Sequence, residues 1–449
     1  MKITIKNLGA IKQAEFTLGE LTIICGENNT GKTYATHATY GFLDFLRTNA
    51  EFPVSSDAVE KLYAEGVIQL PLHPYIENLQ NNFNSSSIAF SKMLYKVFSG
   101  DEAHFNESSL SFDMDYGDRK LNNKHRFIFG TANNGILGIS TIPDMNSLEV
   151  TLIVEKSDKE LPPKHFVVDM IQKGIRTILL ESIIPKPFLA SAERTGAAIF
   201  QKELDFTRNR LIEILGDSNS NFNLFQLLKN FSGEYSIAVR NEVDFVRSIW
   251  NIANKESFIL KHHHDLLESF KDIIGGEYKV SQHGGLKFYP TSNDGMILSL
   301  MEGSSAVRSL LDIGFYLRHV AAPGDLLMVD EPELNLHPEN QRRIARLFAR
   351  LVNIGIKVFI TTHSDYIIKE LNTLIMLNQD KERLKKLAER ENYIDSEKLD
   401  HDKVKMYIAE EQTLTQAEID QIYGMNARSF DKTIEDMNRI QEEIIWGEE

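Results

Sequence analysis

Eight residues between positions 26 and 33 have the types and the spacing of a loop that binds nucleotide phosphates. They read Gly-Glu-Asn-Asn-Thr-Gly-Lys-Thr, a G-x-x-x-x-G-K-[ST] pattern (the P-loop) that follows an apolar run and precedes a helical stretch. The two glycines let the backbone curl so that successive N–H groups point at phosphate oxygens. Lys32 is predicted to reach the β- and γ-phosphates, and Thr33 to ligate Mg²⁺. The pattern predicts a site for ATP and Mg²⁺ formed by Gly26, Asn28, Asn29, Thr30, Gly31, Lys32 and Thr33.

A second motif lies far along the chain, where an apolar run ends in two acidic residues. Residues 325–330 read Asp-Leu-Leu-Met-Val-Asp, and residues 331–338 continue Glu-Pro-Glu-Leu-Asn-Leu-His-Pro, which is typical of a Walker B motif. We predict that Asp330 holds Mg²⁺ through water and that Glu331 polarises the attacking water. Both acids would then lie at the carboxyl end of a buried parallel strand, where ligands bind in α/β sheets.

A third apolar run, residues 358–362, leads directly into His363. A histidine in such a place, taken alone, is more often a structural residue than a functional one. Because this one follows a Walker B motif, we predict that His363 senses the γ-phosphate or stabilises charge in the transition state.

The three motifs together resemble the ABC-type ATPase heads of the SMC and recombination-repair proteins. The likeness is strongest to compact prokaryotic ATPases associated with overcoming-lysogenization-defect nucleases and anti-phage systems. Residues 1–12 resemble the strand hairpin with which such heads begin. Residues 189–196 resemble their Pro-Ala-Glu-Arg-x-Gly turn, with Ser191 in the place of the proline.

The resemblance implies an α/β fold: a P-loop ABC-type ATPase head, whose mixed sheet carries an antiparallel β subdomain, plus a helical insertion lobe. It also implies a sandwich dimer, in which ATP lies between the P-loop of one copy and a signature segment of the other. The matching signature segment is 298–309, so Ser304 and Ser305 are expected to contact the γ-phosphate held by the opposite copy. This segment departs from the usual Leu-Ser-Gly-Gly, and the alternative is that Gly303-Ser304 is only a helix cap.

We predict four parts along the chain. Residues 1–48 are the N-terminal part of the head with the P-loop, 49–185 an insertion with helical and antiparallel β segments, 186–275 a helical lobe, and 276–449 the C-terminal part of the head. Within them, Asn133-Asn134-Gly135 and Gly284-Gly285 predict hairpins. The apolar residues 224, 227, 228 and 231 have the spacing of one helix face.

Composition restricts the classes of function. The 449 residues carry a net charge of −15, which argues against a uniformly basic nucleic-acid-binding protein but leaves a local basic groove open. The single cysteine, Cys25, excludes an intrachain disulfide, and with the lack of a signal peptide it predicts a cytoplasmic protein. No run approaches the ~20 apolar residues of a membrane helix, so we expect no membrane partner.

Two functions remain. In the first, the chain is an ATPase that forms a homodimer or a higher homo-oligomer and thereby controls a separate effector protein, a nuclease or toxin, in prokaryotic anti-phage defence. Chains of the class that it resembles often carry a C-terminal Toprim nuclease. We expect this chain to lack one, because few residues follow His363 and Asp400-His401-Asp402 precedes a predicted strand, where Toprim acids would follow one. In the second, the chain is a DNA-repair or chromosome-associated ATPase that binds DNA itself, so nucleic acid stays open as a partner.

Overall fold

The computed structural model describes residues 1–114, 125–131, 134–142, 146–153, 161–181, 183–199, 235–280, 285–292, 295–425 and 428–446. The chain divides into two compact units. Unit 1 consists of Met1–Lys2, Gly41–Lys92 and Ser109–Lys186, and unit 2 of Ile3–Tyr40, Met93–Ser108 and Pro187–Glu449. The division into four parts stays a prediction, and the helix face predicted at residues 224–231 lies outside the described residues.

Strands and helices are interspersed along the described parts of the chain. The strands are β1 (Lys2–Leu8), β2 (Ile11–Thr17), β3 (Leu21–Gly26), β4 (Val67–Pro71), β5 (Ser109–Asp113), β6 (Arg126–Thr131), β7 (Asn134–Ile142), β8 (Ser147–Leu152), β9 (Pro187–Ala190), β10 (Gly276–Val280), β11 (Leu286–Pro290), β12 (Leu298–Ser299), β13 (Leu326–Asp330), β14 (Lys357–Thr362), β15 (Val404–Glu410), β16 (Thr413–Gln416), β17 (Ile419–Asp420) and β18 (Gly424–Met425). The helices are α1 (Lys32–Asn49), α2 (Ser56–Glu65), α3 (His73–Glu77), α4 (Leu79–Ser91), α5 (Leu94–Phe98), α6 (Lys164–Glu181), α7 (Ile237–Ile252), α8 (Phe258–His262), α9 (His264–Ile274), α10 (Ser305–Ser309), α11 (Leu311–Phe315), α12 (Pro338–Asn353), α13 (Asp365–Met376), α14 (Glu382–Arg390) and α15 (Arg428–Trp446). Shorter helical turns are Glu102–Phe105, Tyr316–Val320, Asp395–Glu397 and His401–Lys403.

Unit 2 is built, in its described residues, on a six-stranded sheet with the order β16-β15-β3-β14-β13-β9. The strands from β15 to β9 run parallel, and β16 is antiparallel at the edge. Every residue of β3 and of β13 is buried, as expected for apolar, β-branched runs covered on both faces. The prediction of a mixed α/β fold is confirmed.

The registers of the parallel strands place four strand ends at one edge of this sheet. Cys25 pairs with Thr362, Asp330 pairs with Thr361, and Val329 pairs with Ala190. Because β14 lies between β3 and β13, the P-loop, the Walker B acids and His363 follow adjacent strand ends. The turn that follows β9 joins them on the far side of β13.

The helices around this edge begin at recognisable caps. The Nδ1 atom of His337 accepts a hydrogen bond from the N–H of Glu339 at 3.3 Å, and Pro338 occupies the first position of α12. The hydroxyl of Ser364 accepts from the N–H of Ile367 at 3.4 Å and starts α13. These caps fix where the chain turns back from the sheet edge.

Unit 1 holds, among its described residues, a four-stranded antiparallel sheet with the order β4-β8-β7-β6. Strands β6 and β7 form a hairpin in which Thr131 pairs with Asn134, so the hairpin predicted at residues 133–135 is confirmed. Its core includes Ile139 of β7, which packs against Gly174 of α6, where a larger residue would collide. In unit 2, β10 and β11 pair antiparallel, as the glycines at 284–285 predicted. Within the residues described, none of the helices combines the length and apolarity that a membrane span requires.

Candidate active site

The P-loop lies between β3 and α1, in the curled conformation that its glycines predict. The φ angles of Gly26, Asn29 and Gly31 are all positive, at 143°, 62° and 96°. A Cβ atom at Gly31 would lie 2.6 Å from Cγ1 of Ile11, and one at Gly26 would lie 2.5 Å from the carbonyl oxygen of Ala409. Both positions therefore require glycine.

Lys32 lies inside this loop. Its amine donates to the carbonyl oxygens of Gly26 at 3.0 Å and Glu27 at 2.6 Å. Burial lowers the pKa of Lys32, while the carboxylates of Glu331, Asp330 and Glu333 oppose that shift. The amine is therefore within electrostatic range of the Walker B acids, although they lie in a distant part of the sequence.

Asp330 is fully buried at the end of β13. Its Oδ1 atom accepts a hydrogen bond from the hydroxyl of Thr361 on the neighbouring strand. Its Oδ2 atom has no hydrogen-bond partner among the described residues, and the same is true of Nε2 of His37 on α1. A buried carboxylate oxygen that lacks a donor fits a hard cation such as Mg²⁺, or a water that the cation holds.

Glu331 and His363 follow the ends of β13 and β14, which are neighbouring strands. Glu331 has a left-handed backbone, with φ of 51°, and its N–H donates to the carbonyl oxygen of Thr361 at 3.0 Å. Its Oε1 atom lies 3.8 Å from Nδ1 of His363. Burial and the nearby Asp330 raise the pKa of Glu331. The structure thus places the two predicted catalytic residues beside each other.

Glu333 was part of the predicted motif but had no role assigned to it. One of its carboxylate oxygens accepts from the backbone N–H of His363 at 2.8 Å and lies 3.3 Å from Nδ1 of that imidazole. The carboxylate is buried, whereas the imidazole is 43% exposed. Glu333 therefore orients His363 from the protein side. The only sequence signal for this role is an acid two residues after Glu331.

Arg194 is a second residue whose role the sequence did not reveal. It lies in the turn after β9 and is 2% exposed. Its guanidinium donates to the backbone carbonyl oxygens of both Walker B acids, at 2.7 Å for Asp330 and 2.9 Å for Glu331. The resemblance of residues 189–196 to a known turn was the signal that pointed to this region.

The two predicted signature serines lie at the start of α10, and both are exposed. The hydroxyl of Ser304 accepts from the N–H of Val307 at 3.3 Å, so Ser304 caps this helix, as the alternative interpretation holds. A capping hydroxyl and a phosphate contact are compatible roles. The contact of Ser304 and Ser305 with the γ-phosphate stays a prediction, and so do the roles of Thr33, Asp330, Glu331 and His363.

Comparison with models of protein families gives a match to an ATPase domain. Residues 164–368 match the model of the AAA ATPase domain, and this span contains Arg194, the signature segment, the Walker B acids and His363. The chain is an ATP hydrolase. No curated protein matches it.

Among solved structures, this ATPase is similar to SMC head domains at low identity. An Smc head bound to the C-terminal winged-helix domain of ScpA shares 11% identity at a TM-score of 0.34, over 96% of this chain and 98% of that chain. An Smc head from Pyrococcus furiosus, bound to the C-terminal domain of ScpA, shares 12% at 0.31, over 98% of each chain. The SMC head from Thermotoga maritima shares 8% at 0.30, over 93% and 98%. These TM-scores are low, and the fold of the ATPase is established by its own sheet order and registers.

A separate cluster of the ATPase is formed by Asp400, His401 and Asp402. The structure brings one ligand atom of each to within 4.8 Å of the others. The ring nitrogens of the imidazole lie 3.3 Å from Asp400 and 3.5 Å from Asp402, so the two carboxylates flank the imidazole. The cluster precedes β15, as expected, and Asp402 is exposed.

Proposed function

We propose that this ATPase hydrolyses Mg²⁺-ATP between two copies of the chain, and that nucleotide-dependent dimerisation controls a separate effector protein. The observation that carries the first part is the convergence of Lys32, Asp330, Glu331 and His363 at one edge of a parallel sheet. The effector is a nuclease or toxin of prokaryotic anti-phage defence, a step supported by the resemblance of the motifs.

The residues present fit a magnesium ion, because Asp330 offers a buried oxygen without a donor close to the P-loop helix. Thr33 and Asp330 would hold the ion. When bound, it would neutralise charge that develops on the β- and γ-phosphates. The glycines, Lys32 and the loop N–H groups bind and orient the phosphates.

Hydrolysis then requires a base beside the attacking water. Glu331 accepts a proton as the water oxygen forms its bond with the γ-phosphorus. The bond between the γ-phosphorus and the bridging oxygen breaks, and that oxygen leaves with the electron pair on ADP. The raised pKa of Glu331 makes it a stronger base than an ordinary glutamate. His363, oriented by Glu333, supplies a hydrogen-bond donor at the γ-phosphate.

Both the P-loop and the signature segment have exposed residues, which favours an ATP site shared between two copies. Glu27, Asn28 and Asn29 of the P-loop are exposed, and so are Ser304 and Ser305 of the signature segment. A second copy is able to place its signature serines on the nucleotide that the first copy holds. Opening and closing of this dimer would change the state of the effector.

The test uses Glu331→Gln, which keeps the shape of the site but removes its base. With Mg²⁺-ATP, light scattering after size exclusion should give the mass of a dimer. Adding Ser305→Arg should abolish that dimer while ATP still binds to the P-loop of each separate copy. A matched control is Ser396→Arg, at another exposed serine, which should leave the dimer intact. A monomer for Glu331→Gln under all nucleotide conditions would contradict the shared site.

The effector is tested by co-expressing this ATPase with the proteins that its neighbouring genes encode, and by assaying those proteins for nuclease activity. Co-purification, with nuclease activity that differs between wild type and Glu331→Gln, supports the proposal. Salt-sensitive binding of DNA by the ATPase alone would instead support a repair or chromosome-associated function.

A further inference from the structure

One buried guanidinium joins three separate segments of unit 2. The Nε atom of Arg194 donates to the carbonyl oxygen of Ser309 at 2.6 Å, and Nη1 donates to that of Ser191 at 2.7 Å. The remaining bonds go to the carbonyl oxygens of Asp330 at 2.7 Å and Glu331 at 2.9 Å. The turn after β9, the end of α10 and the Walker B motif therefore share one hydrogen-bonding centre.

An arginine in this place is costly, because its charge is removed from water. Two buried acids, Glu242 and Asp312, lie close enough to affect it electrostatically, and Glu242 also accepts from the N–H of Ser191 at 2.6 Å. An apolar side chain would fill the space without this cost but would bind none of the carbonyls. Among the side chains, only the planar guanidinium group of arginine has enough N–H donors to bind carbonyl oxygens on three segments at once.

The bond to Ser309 connects Arg194 with the signature serines. Ser309 is the last residue of α10, and Ser304 caps the first turn of the same short helix. The hydroxyl of Ser309 is shared between the carbonyl oxygens of Ala306, at 3.2 Å in its own helix, and Leu334, at 3.3 Å. A displacement of α10 therefore reaches the Walker B motif chiefly through the guanidinium of Arg194.

Glu331, which would respond to a displacement of α10, has little conformational freedom. Glu331 has the left-handed φ of 51°, and its N–H is fixed to the carbonyl oxygen of Thr361. A change at its own carbonyl oxygen, which Arg194 holds, will rotate the carboxylate that must activate water. Misplacement of a reacting group by about 1 Å costs up to about 100-fold in rate.

We propose that Arg194 is the positioning residue that couples the signature segment to the catalytic base, so that Glu331 is aligned only when α10 is engaged. This rests on the proposed function, in which a second copy engages Ser304 and Ser305. Arg194 acts through the backbone of the Walker B motif and touches no substrate. Its loss therefore affects the chemical step and leaves ATP binding intact.

The test compares Arg194→Lys with the wild-type chain. The lysine keeps the positive charge but lacks the several N–H donors of the guanidinium group. We expect kcat to fall about 10- to 100-fold, with KM and the Kd for ATP unchanged. Arg350→Lys is the matched control: Arg350 is another buried arginine of unit 2, bonded to Ser269 and Asp265. We expect Arg350→Lys to lower the thermal stability by about as much as Arg194→Lys does, without a change in kcat.

Three results would overturn the coupling: wild-type kcat in folded Arg194→Lys, a loss of ATP affinity in that variant, or an equal fall of kcat in Arg350→Lys. If Arg194→Lys does not fold, the neutral pair Arg194→Gln with Asp312→Asn serves for the same comparison.

A second test keeps Arg194 and measures amide hydrogen exchange in the Glu331→Gln variant. Mg²⁺-ATP should protect the amides of 191–197 together with those of 305–310, and protection of the second set alone would also overturn the coupling. Failure of the proposed function is seen separately, as failure of Glu331→Gln to dimerise. In that case the fall of kcat in Arg194→Lys still reports whether Arg194 positions Glu331.

Discussion

The Nε2 atom of His37 lies 3.7 Å from the Oδ2 atom of Asp330. Neither atom has a hydrogen-bond partner among the described residues, although both are buried. His37 lies one turn after Thr33 on α1, and its ring stacks on Phe98 with the ring planes 17° apart. Burial lowers the pKa of His37 in spite of the adjacent Asp330. A neutral imidazole beside the predicted metal ligand is suited to orient that carboxylate or a water between them.

Replacing His37 should therefore affect the metal dependence of hydrolysis more than nucleotide binding. We expect His37→Ala to raise the Mg²⁺ concentration for half-maximal hydrolysis about 10- to 100-fold, the usual cost of losing a group that orients a metal ligand. His37→Gln, which keeps a donor, should recover much of the loss. The measurement is a Mg²⁺ titration of the ATPase rate at saturating ATP. An unchanged titration for His37→Ala would show that this imidazole does not act on Asp330.

Lys32→Ala should abolish ATP binding and leave the fold intact. The amine makes two hydrogen bonds to carbonyls of its own loop, and each is worth about 1 kcal/mol to stability. Its larger contribution is to the binding of the β- and γ-phosphates. Isothermal calorimetry with ATP measures the loss, and Lys61→Ala, at an exposed lysine, is the control. Retained affinity in Lys32→Ala would contradict the assignment of the P-loop.

The sheet edge could be predicted from the sequence because each of its parts is a local pattern. An apolar run that leads into Gly26 and Lys32, or into Asp330 and Glu331, indicates both the strand and the functional residues at its end. Parallel strands then bring these ends together without further information. His363 gained its interpretation from its place after the Walker B motif.

The buried polar contacts were not predictable, because they join residues far apart in the chain. Arg194 bonds to carbonyl oxygens more than 100 positions away, and backbone carbonyls carry no side-chain signal. The arginines of α12 mislead in the same way. Their helical spacing is typical of an exposed charged face, yet Arg350 is buried and Arg346 is only 18% exposed.

Arg342 and Arg346 of α12 both bond to Glu370, a buried acid on α13. The distances from their Nε atoms to its carboxylate are 2.7 and 2.5 Å. Replacing both arginines by methionine should destabilise the protein by about 3–5 kcal/mol, because the buried carboxylate loses its partners.

Adding Glu370→Gln to that double variant should restore part of the lost unfolding free energy, because it removes the unpaired buried charge. Urea unfolding measures both steps. A triple variant less stable than the double variant would show that the ion pairs do not explain the cost.

Asp312 gives a prediction for the dependence of stability on pH. Burial raises its pKa to about 6, although the charge of Arg194 opposes the shift. Glu242, also buried, has its pKa raised well above the ordinary value, chiefly by burial and also by the charge of Asp312. A carboxyl whose pKa is higher in the folded chain binds more protons there than in the unfolded chain. Its contribution to the free energy of unfolding is therefore complete below about pH 4 and is lost as the pH rises through about 6.

Asp312→Asn removes this contribution, so the difference in unfolding free energy between wild type and variant should shift in favour of the variant as the pH rises from about 4 to about 7. A pKa difference of about 2 corresponds to at most about 3 kcal/mol. Urea unfolding at a series of pH values measures the difference. Glu242→Gln should shift in the same direction, because the pKa of Glu242 is likewise higher in the folded chain than in the unfolded chain. Parallel curves for wild type and Asp312→Asn would mean that Asp312 titrates alike in the folded and unfolded chains, and its burial beside Arg194 would then have no energetic consequence in this range.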